Sequence, residues 1–194
     1  VQIVVNVQGV AFIAAFTAIN RVDDFALTPQ QNISHASTTF MAQNKGAGNV
    51  RRMKRGFLSS ILLQTIYTAV ISAAVFAAAG PLMGMFVSEG SEEVIGLGVS
   101  YLHLIAFMYV MPAATNTIQG FFRGVGDLKV TLISTVLNMS ARFLTAWLMI
   151  HRMHGGFDCL AWANFWGWVA MLAFQIPMFV WRWRKESKES QIKE

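Results

Sequence analysis

The sequence has few charged residues and almost no cysteine. Only 13% of its 194 residues are charged, against roughly a quarter in a soluble domain, while 55% are hydrophobic and the mean hydropathy is +0.48. This composition excludes an ordinary soluble domain. The single cysteine, Cys159, excludes an internal disulfide framework. Acidic residues are also scarce, at 10 against 15 lysines and arginines, so the formal net charge is +5.

The basic residues lie between hydrophobic runs. Of the 15 lysines and arginines, all except Arg21, Arg142 and Arg152 lie in three segments: Lys45–Arg55, Arg123–Lys129 and Arg182–Lys193. The connectors between these segments carry acidic residues instead: Glu89, Glu92, Glu93 and Asp158. Alternating basic and acidic connectors are typical of a polytopic membrane protein that follows the positive-inside rule. A nucleic-acid partner is not expected, because the basic residues are not gathered on one solvated face.

Four hydrophobic runs reach the roughly 20 residues that a membrane-spanning helix needs. They are Phe57–Ala79, Val94–Ile118, Val130–Ile150 and Leu160–Trp181. With the basic connectors placed inside, the charged segment 182–194 is cytoplasmic. Because this tail lacks apolar periodicity, we expect it to be disordered.

The first 45 residues allow two interpretations. One has a span over residues 1–19, an outside loop and a short polar helix that returns from Pro29. The other has the end of a truncated helix over residues 1–8, then one long helix over residues 10–44. Spacing favours the second, since polar residues cluster within about 60° of Asp24 on a helical wheel: Asn20, Arg21, Thr28, Gln31, His35 and Thr38. The predicted fold is an all-α membrane bundle of five complete transmembrane helices and a truncated first helix.

Two sequence signatures lie about 75 residues apart, each at a predicted cytoplasmic connector. The first runs from AAFTAINRVDDF at Ala14–Phe25 to FMAQNKGAGN at Phe40–Asn49, and the second is QGFFRGVGDLK at Gln119–Lys129. This order resembles the multidrug and toxic compound extrusion (MATE) family of cation-coupled antiporters. The connector residues that carry the resemblance are Gln43, Asn44, Gly46, Gly48, Arg123, Gly124, Gly126 and Asp127.

The resemblance covers nearly the whole chain and implies a fold and a function. MATE proteins have twelve helices in two six-helix lobes, so the chain is similar to a C-terminal lobe whose N-terminal partner lobe is missing. The implied activity is export of amphipathic, cationic drugs or toxins in exchange for H⁺ or Na⁺ across the bacterial cytoplasmic membrane. No enzymatic activity and no cofactor beyond the coupling ion are expected. The alternatives are a lipid-linked precursor flippase of the same superfamily and a non-transporting scaffold or channel subunit.

Three charged residues within the long helix are candidates for ion coupling. Arg21, Asp23 and Asp24 would lie at bilayer depth, where a charge costs at least a few kcal/mol unless it pairs or faces water. Arg21 and Asp24 are three residues apart and can pair on one helix face. We interpret Asp24 as the coupling carboxylate of a cavity that also holds Arg21, Asp23, His35, Gln31 and Thr28. A static ion pair is the alternative, and His35 is either a proton relay or an ordinary hydrogen-bonding histidine.

Other polar residues have competing interpretations. Arg142, one turn from Asn138, needs an acceptor within its span. Asp23 or an acidic residue in the missing lobe would serve, and an interfacial, snorkelling arginine is the alternative. Gln43–Gly48 is interpreted as a helix C-cap with a left-handed glycine, and not as a phosphate-binding loop. The His151–Asp158 segment has zinc-like spacing, but an exposed outside loop is favoured.

This topology can be tested by accessibility labelling. Single cysteines at Asn49 and Ser91, in a background where Cys159 is replaced, are expected to react from opposite sides of the membrane. The measurement is labelling by an impermeant maleimide in intact cells and in inverted vesicles. Equal labelling of both sites from outside would contradict the span assignment.

Overall fold

The computed structural model describes residues 10–86, 92–153 and 158–193, and these ranges are helical apart from short turns. The six helices are α1 (Val10–Gly46), α2 (Val50–Phe86), α3 (Glu92–Met108), α4 (Val110–Gly124), α5 (Leu128–Met153) and α6 (Asp158–Lys193). The predicted all-α class is confirmed. The predicted end of a truncated helix (residues 1–8) and most of the acidic connector after α2 fall outside these ranges.

Helix α1 is a single helix of 37 residues that includes Pro29. It packs into the bundle along one face, where Ile19, Val22, Ala26, Ser34 and Met41 recur at intervals close to the helical period and are all buried. These contacts to neighbouring helices hold the helix continuous past the proline, whose ring would otherwise favour a break. The structure therefore agrees with the second of the two interpretations of this region.

Glycines end α1 and α4 in the same way. Gly48 has a φ of 72° and Gly126 a φ of 83°, a left-handed conformation that glycine adopts without a steric penalty. After α1, the Asn49 amide donates to the Asn44 carbonyl at 2.8 Å, which satisfies a carbonyl at the helix end. The C-cap interpretation of Gln43–Gly48 is confirmed.

The predicted span Val94–Ile118 is two helices. α3 and α4 meet at Tyr109 and are bent by 45°. Pro112 has no N–H to donate to the carbonyl of Met108, the residue where α3 ends, so the helix cannot run straight through. The bend places the Tyr109 side chain, which is fully buried, inside the bundle.

Within the described ranges, three helices are long and apolar enough to cross a membrane, namely α2, α5 and α6. The bent pair α3–α4 makes a fourth if it crosses as one span. The described part of α1 is not among these helices, although its 37 residues correspond to roughly 55 Å of helix. Its polar side chains lower its hydropathy, and its crossing of the membrane stays a prediction.

The charged tail is helical, so the prediction of disorder is wrong. α6 continues to Lys193, and Glu186 within it is only 3% exposed. The Glu186 carboxylate lies 2.8 Å from Lys45 Nζ and 3.2 Å from Arg182 Nε. Trp183, one turn earlier, stacks against Phe57 with ring centroids 5.5 Å apart. Trp183 and Glu186 therefore pack this otherwise polar segment against the ends of α1 and α2.

The basic segments of the sequence meet at one end of the bundle. Lys45 Nζ donates to the Val125 carbonyl at 3.0 Å, which ties the end of α1 to the turn after α4. Lys54 contacts the Ser187 hydroxyl and lies 5.2 Å from the ring of Trp183. This grouping is the arrangement that the charge pattern predicted for one side of the membrane.

Small residues let α4 lie close against α1. A Cβ added at Gly120 would be 2.8 Å from Ser34 Oγ and 3.0 Å from the Ser34 carbonyl oxygen. One turn on, a Cβ at Gly124 would be 2.8 Å from Met41 Cβ. Such small-residue contacts bring helix backbones together where lipid supplies no hydrophobic driving force.

The close approach predicts opposite effects for two glycine-to-alanine changes. Gly120→Ala should lower the free energy of unfolding by about 1–3 kcal/mol because the added methyl group meets backbone. Gly80→Ala should be neutral or stabilising by up to about 1 kcal/mol, since nothing lies within 4 Å and alanine favours the helix. Thermal unfolding in detergent measures both, and equal effects would contradict the packing.

Candidate functional site

Most of the predicted polar stripe of α1 lies on a face that the other described helices leave uncovered, but Thr38 is half-buried and its hydroxyl donates to the Gly120 carbonyl of α4 at 3.1 Å. The exposed members of the stripe are Asn20, Arg21, Asp24, Thr28, Gln31 and His35. Their neighbours Val22, Ala26, Gln30 and Ser34 are buried in the bundle. We call the exposed set the polar face of α1. Charged groups at bilayer depth are costly against lipid, so this face needs water or other polar protein groups opposite it.

The adjacent carboxylates Asp23 and Asp24 differ in environment. Asp24 is exposed on the polar face, whereas Asp23 is half-buried and turned toward α3. The Tyr109 hydroxyl donates to Asp23 Oδ1 at 2.6 Å. Tyr109 is itself fully buried at the α3–α4 bend. The 100° between consecutive helix positions is what separates the two side chains.

Asp23 also belongs to a network that reaches α5 and α6. The Arg142 guanidinium of α5 is within electrostatic range of Asp23 and of Tyr101 on α3. The Tyr101 hydroxyl accepts a hydrogen bond from Asn164 Nδ2 of α6 at 3.0 Å. We call Asp23, Tyr101, Tyr109, Arg142 and Asn164 the buried polar network. The sequence allowed two partners for Arg142, Asp23 or an acidic residue in the missing lobe. Asp23 is the one that lies within electrostatic range of Arg142 in the described chain.

A glycine on α6 makes room for Arg142. A Cβ at Gly167 would be 2.3 Å from Arg142 Cγ and 3.2 Å from Asn138 Nδ2. Asn138 and Arg142 therefore lie between α5 and α6, and both are at least half-buried. Arg142 is therefore packed between helices and is not a lipid-facing, snorkelling arginine.

A second set of polar residues, which sequence reasoning missed, joins α1 to α2 and α4. Gln30 Nε2 donates to Thr68 Oγ1 at 3.2 Å, and the Ser34 hydroxyl donates to the Asn116 carbonyl at 2.5 Å. Ser37 and Ser60 are linked at 2.8 Å. A helical wheel places Gln30, Ser34 and Ser37 outside the predicted stripe. Only the positions of α2 and α4 show that they bond other helices.

The signature residues serve the ends of α1 and α4. The Arg123 guanidinium donates to Ser34 Oγ at 2.9 Å, and Gly124 lies against Met41 of α1. Asn44 is buried and donates from Nδ2 to the Phe40 carbonyl at 2.7 Å. The other signature positions form the two turns, where Gln43 and Gly46 are exposed and the Asp127 amide closes the second turn. The structure thus gives these residues a part in holding α1 against α4.

Metal binding finds no support among the residues that the structure describes. No group of three or more histidine, cysteine, aspartate or glutamate side chains is close enough to hold a metal ion there. The side chains of His151, His154 and Asp158, which have zinc-like spacing, lie outside the described set.

Comparison with known proteins identifies the family. A family model described as MatE matches residues 1–148. The chain belongs to the MatE family. This MatE chain is also 24% identical, over 135 residues, to "Probable multidrug resistance protein YpnP" of Bacillus subtilis (strain 168). The match covers 70% of the chain and 30% of that protein.

Solved structures with the same fold are MATE transporters. An outward-facing conformation of a multidrug resistance MATE family transporter of the MOP superfamily superposes with a TM-score of 0.86 at 18% identity. It covers 96% of the MatE chain, which spans 42% of that protein. The structure of MATE in complex with MaL6 gives a TM-score of 0.85 at 20% identity, covering 93% and 41%. The chain is therefore equivalent to part of a MATE fold, as the sequence signatures implied.

The Tyr109–Asp23 hydrogen bond predicts a stability difference between two tyrosines. Tyr109→Phe leaves a half-buried carboxylate without its donor and should lower the free energy of unfolding by about 1.5–3 kcal/mol. Tyr67→Phe removes a neutral bond to the Ala26 carbonyl, 3.1 Å long, and should cost about 1 kcal/mol.

Chemical denaturation in detergent measures both values. The cost of Tyr109→Phe should shrink when Asp23→Asn is already present, because the charge that needs the donor is gone. An unchanged cost in that background would show that Tyr109 acts only through packing.

Proposed function

We propose that the whole MatE protein is a secondary active antiporter that exports amphipathic, cationic drugs or toxins in exchange for H⁺ or Na⁺. The observation that carries the proposal is the polar face of α1. In a membrane protein whose other helices are apolar, an exposed face with Asp24 and Arg21 suits a water-filled cavity between two lobes. The relatives support it, since they are named as multidrug resistance proteins or transporters.

Asp24 is the proposed coupling carboxylate. It is exposed toward the cavity, and Arg21 lies almost one turn away on the same face. A proton or Na⁺ bound at Asp24 removes the charge that attracts either the arginine or a cationic substrate. Ion and substrate can then exclude each other, which is the requirement for exchange. Thr28, Gln31 and His35 extend the same face with groups that bind water or substrate.

Asp23 has a positioning role in this proposal. Its bond to Tyr109 holds α1 against the α3–α4 bend, and Arg142 of α5 attracts it from further away. The buried polar network thereby fixes the rotation of α1 about its axis and keeps Asp24 in the cavity. The close contacts at Gly120 and Gly124 make the described helices suited to rock as one unit against a second lobe.

The orientation proposed follows from charge. The end of the bundle where Lys45, Lys54 and the extension of α6 meet is placed in the bacterial cytoplasm. A flippase for lipid-linked precursors would need a strongly cationic cavity. The polar face offers one arginine and one carboxylate, so drug antiport is favoured.

Two substitutions in the full-length protein test the roles of the carboxylates. Asp24→Asn should abolish ion-coupled efflux, at least a tenfold loss, with near-normal abundance in the membrane. Asp23→Asn should mainly lower abundance and thermal stability, because it removes the negative charge that bonds Tyr109 and attracts the partly buried Arg142. Efflux of ethidium driven by an imposed pH or Na⁺ gradient in proteoliposomes measures the first effect.

Normal exchange by Asp24→Asn would place the coupling site elsewhere. A loss of folded Asp24→Asn protein would favour the static ion pair with Arg21. Asn20→Ala is the matched control, because it changes an exposed polar residue of the same face without removing a charge.

A further inference from the structure

A groove of about 650 Å³ lies between α1 and α2, near the end of the bundle where the basic segments meet. The charged residues that line it are Arg52 and Arg55 of α2, and no acidic residue of the described chain is among its walls. Ser59 adds a hydroxyl group one turn further along α2, and Leu63 follows after another turn. The groove is therefore basic at one end and apolar at the other.

The two arginines of the groove have no carboxylate partner within the described ranges. Both are exposed, and because they are three residues apart they lie on one face of α2. The Arg52 guanidinium is 5.6 Å from the centre of the Phe40 ring, so it reaches across the groove to α1. Like charges on one helix face repel each other, and the first turn of α2 holds no acidic residue to offset them. An anion that bonds both arginines removes this repulsion.

The side chains that follow the arginines along α2 are in the order of the parts of a phospholipid. Ser59 is exposed, and its hydroxyl has no partner among the described residues. Beyond it Leu62 and Leu63 are 62% and 54% exposed. Cationic, hydroxyl and apolar groups thus succeed one another between Arg55 and Leu63, over roughly 12 Å of helix. Phosphate, glycerol and acyl groups succeed one another in the same order in a phospholipid.

The groove is distinct from the polar face of α1. Ala36 and Phe40, which line its α1 wall, lie about 120° and 160° around the helix from Asp24. Next to the groove, α2 exposes the apolar side chains of Leu62 and Ile66. The apolar end of the groove therefore meets the hydrocarbon layer of the membrane, whereas its basic end lies at the headgroup level of the side where the basic segments gather.

We propose that this groove binds an anionic phospholipid, whose phosphodiester bonds Arg52 and Arg55 and whose acyl chain lies along Leu63. Arginine binds phosphate oxygens through paired N–H groups. Basic pockets between membrane-spanning helices on the cytoplasmic side are suited to such headgroups. A zwitterionic lipid is disfavoured because its ammonium group adds a third positive charge beside the arginines. A free phosphate ion makes no use of the apolar end of the groove.

Photolabelling of the full-length protein in nanodiscs tests the headgroup requirement. The probes are phosphatidylglycerol and phosphatidylcholine that carry the same diazirine-labelled acyl chain, each at the same mole fraction in dioleoylphosphatidylcholine. Phosphatidylglycerol is expected to label peptides from residues 32–40 and 56–66. Phosphatidylcholine should label them at least about fivefold less, since one basic residue near a membrane surface has an effect of that size on an anionic lipid.

Variants separate the groove from the net charge of the basic segment. Arg55→Gln should lower labelling by phosphatidylglycerol about fivefold and leave labelling by phosphatidylcholine unchanged. Arg51→Gln is the matched control, because it removes the same charge from the same turn of α2 but Arg51 does not line the groove. Ser59→Phe should fill the groove and abolish labelling by phosphatidylglycerol. All three side chains are exposed, and the comparison of the two lipids in the unmodified protein needs no variant.

Four results would overturn the proposal. The first is equal labelling by the two lipids, and the second is an equal loss of labelling in Arg51→Gln and Arg55→Gln, which would show that the net charge of the segment suffices. The third is displacement of the lipid by an excess of glycerol 3-phosphate or inorganic phosphate, which would assign the arginines to a soluble anion. The fourth is absence of labelling in the full-length protein, since another segment would then cover the groove. None of these results depends on whether Asp24 couples transport to an ion.

Discussion

The requirement that every polar group of α1 find a partner in an apolar environment determines how this bundle is built. One face of the helix meets it through bonds from Gln30 and Ser34 to α2 and α4. On another side of α1, Asp23 finds its partners in Tyr109, which it bonds, and Arg142, which it attracts. The polar face is left uncovered by the other described helices. α2, α3 and α4 pack around α1 where these bonds form.

Most helices of this chain are predictable from local pattern, whereas the break at Tyr109, the helical tail and the contacts between helices are not. Hydropathy located the apolar runs, and glycine placement located the turn at Gly48, because both depend on neighbouring residues alone. The pairing of Asp23 with Tyr109 joins residues 86 positions apart, and no spacing rule relates them. Val22 and Phe25 both lie outside the polar stripe on a helical wheel, yet Val22 is buried and Phe25 is 76% exposed. Periodicity separates polar from apolar faces but does not tell a protein-facing side from a lipid-facing one.

The similarity to MATE structures explains why one face of α1 is left uncovered. The chain covers about 42% of such a transporter with a TM-score of 0.86, so a large part of that fold has no counterpart here. The residues left exposed on α1 include the polar face, whereas many of those left exposed on α2 and α5, such as Leu62 and Phe143, are apolar. One surface suits water or a second lobe, and the other suits lipid. The connector residues of the two signatures, by contrast, lie at the ends of α1 and α4, where they form the turns and join the two helices.

The docked end of α6 affects how the polypeptide can be shortened. A segment rich in lysine, arginine and glutamate is commonly trimmed as a dispensable tail. Trimming at Trp181 would here remove Trp183 from a cluster of rings that includes Phe57 and Phe121. It would also remove Glu186, leaving Lys45 without its carboxylate at the tip of α1. Helix α1 is thus anchored at the basic end by residues more than a hundred positions later in the chain, which makes the C-terminal segment part of the folding unit.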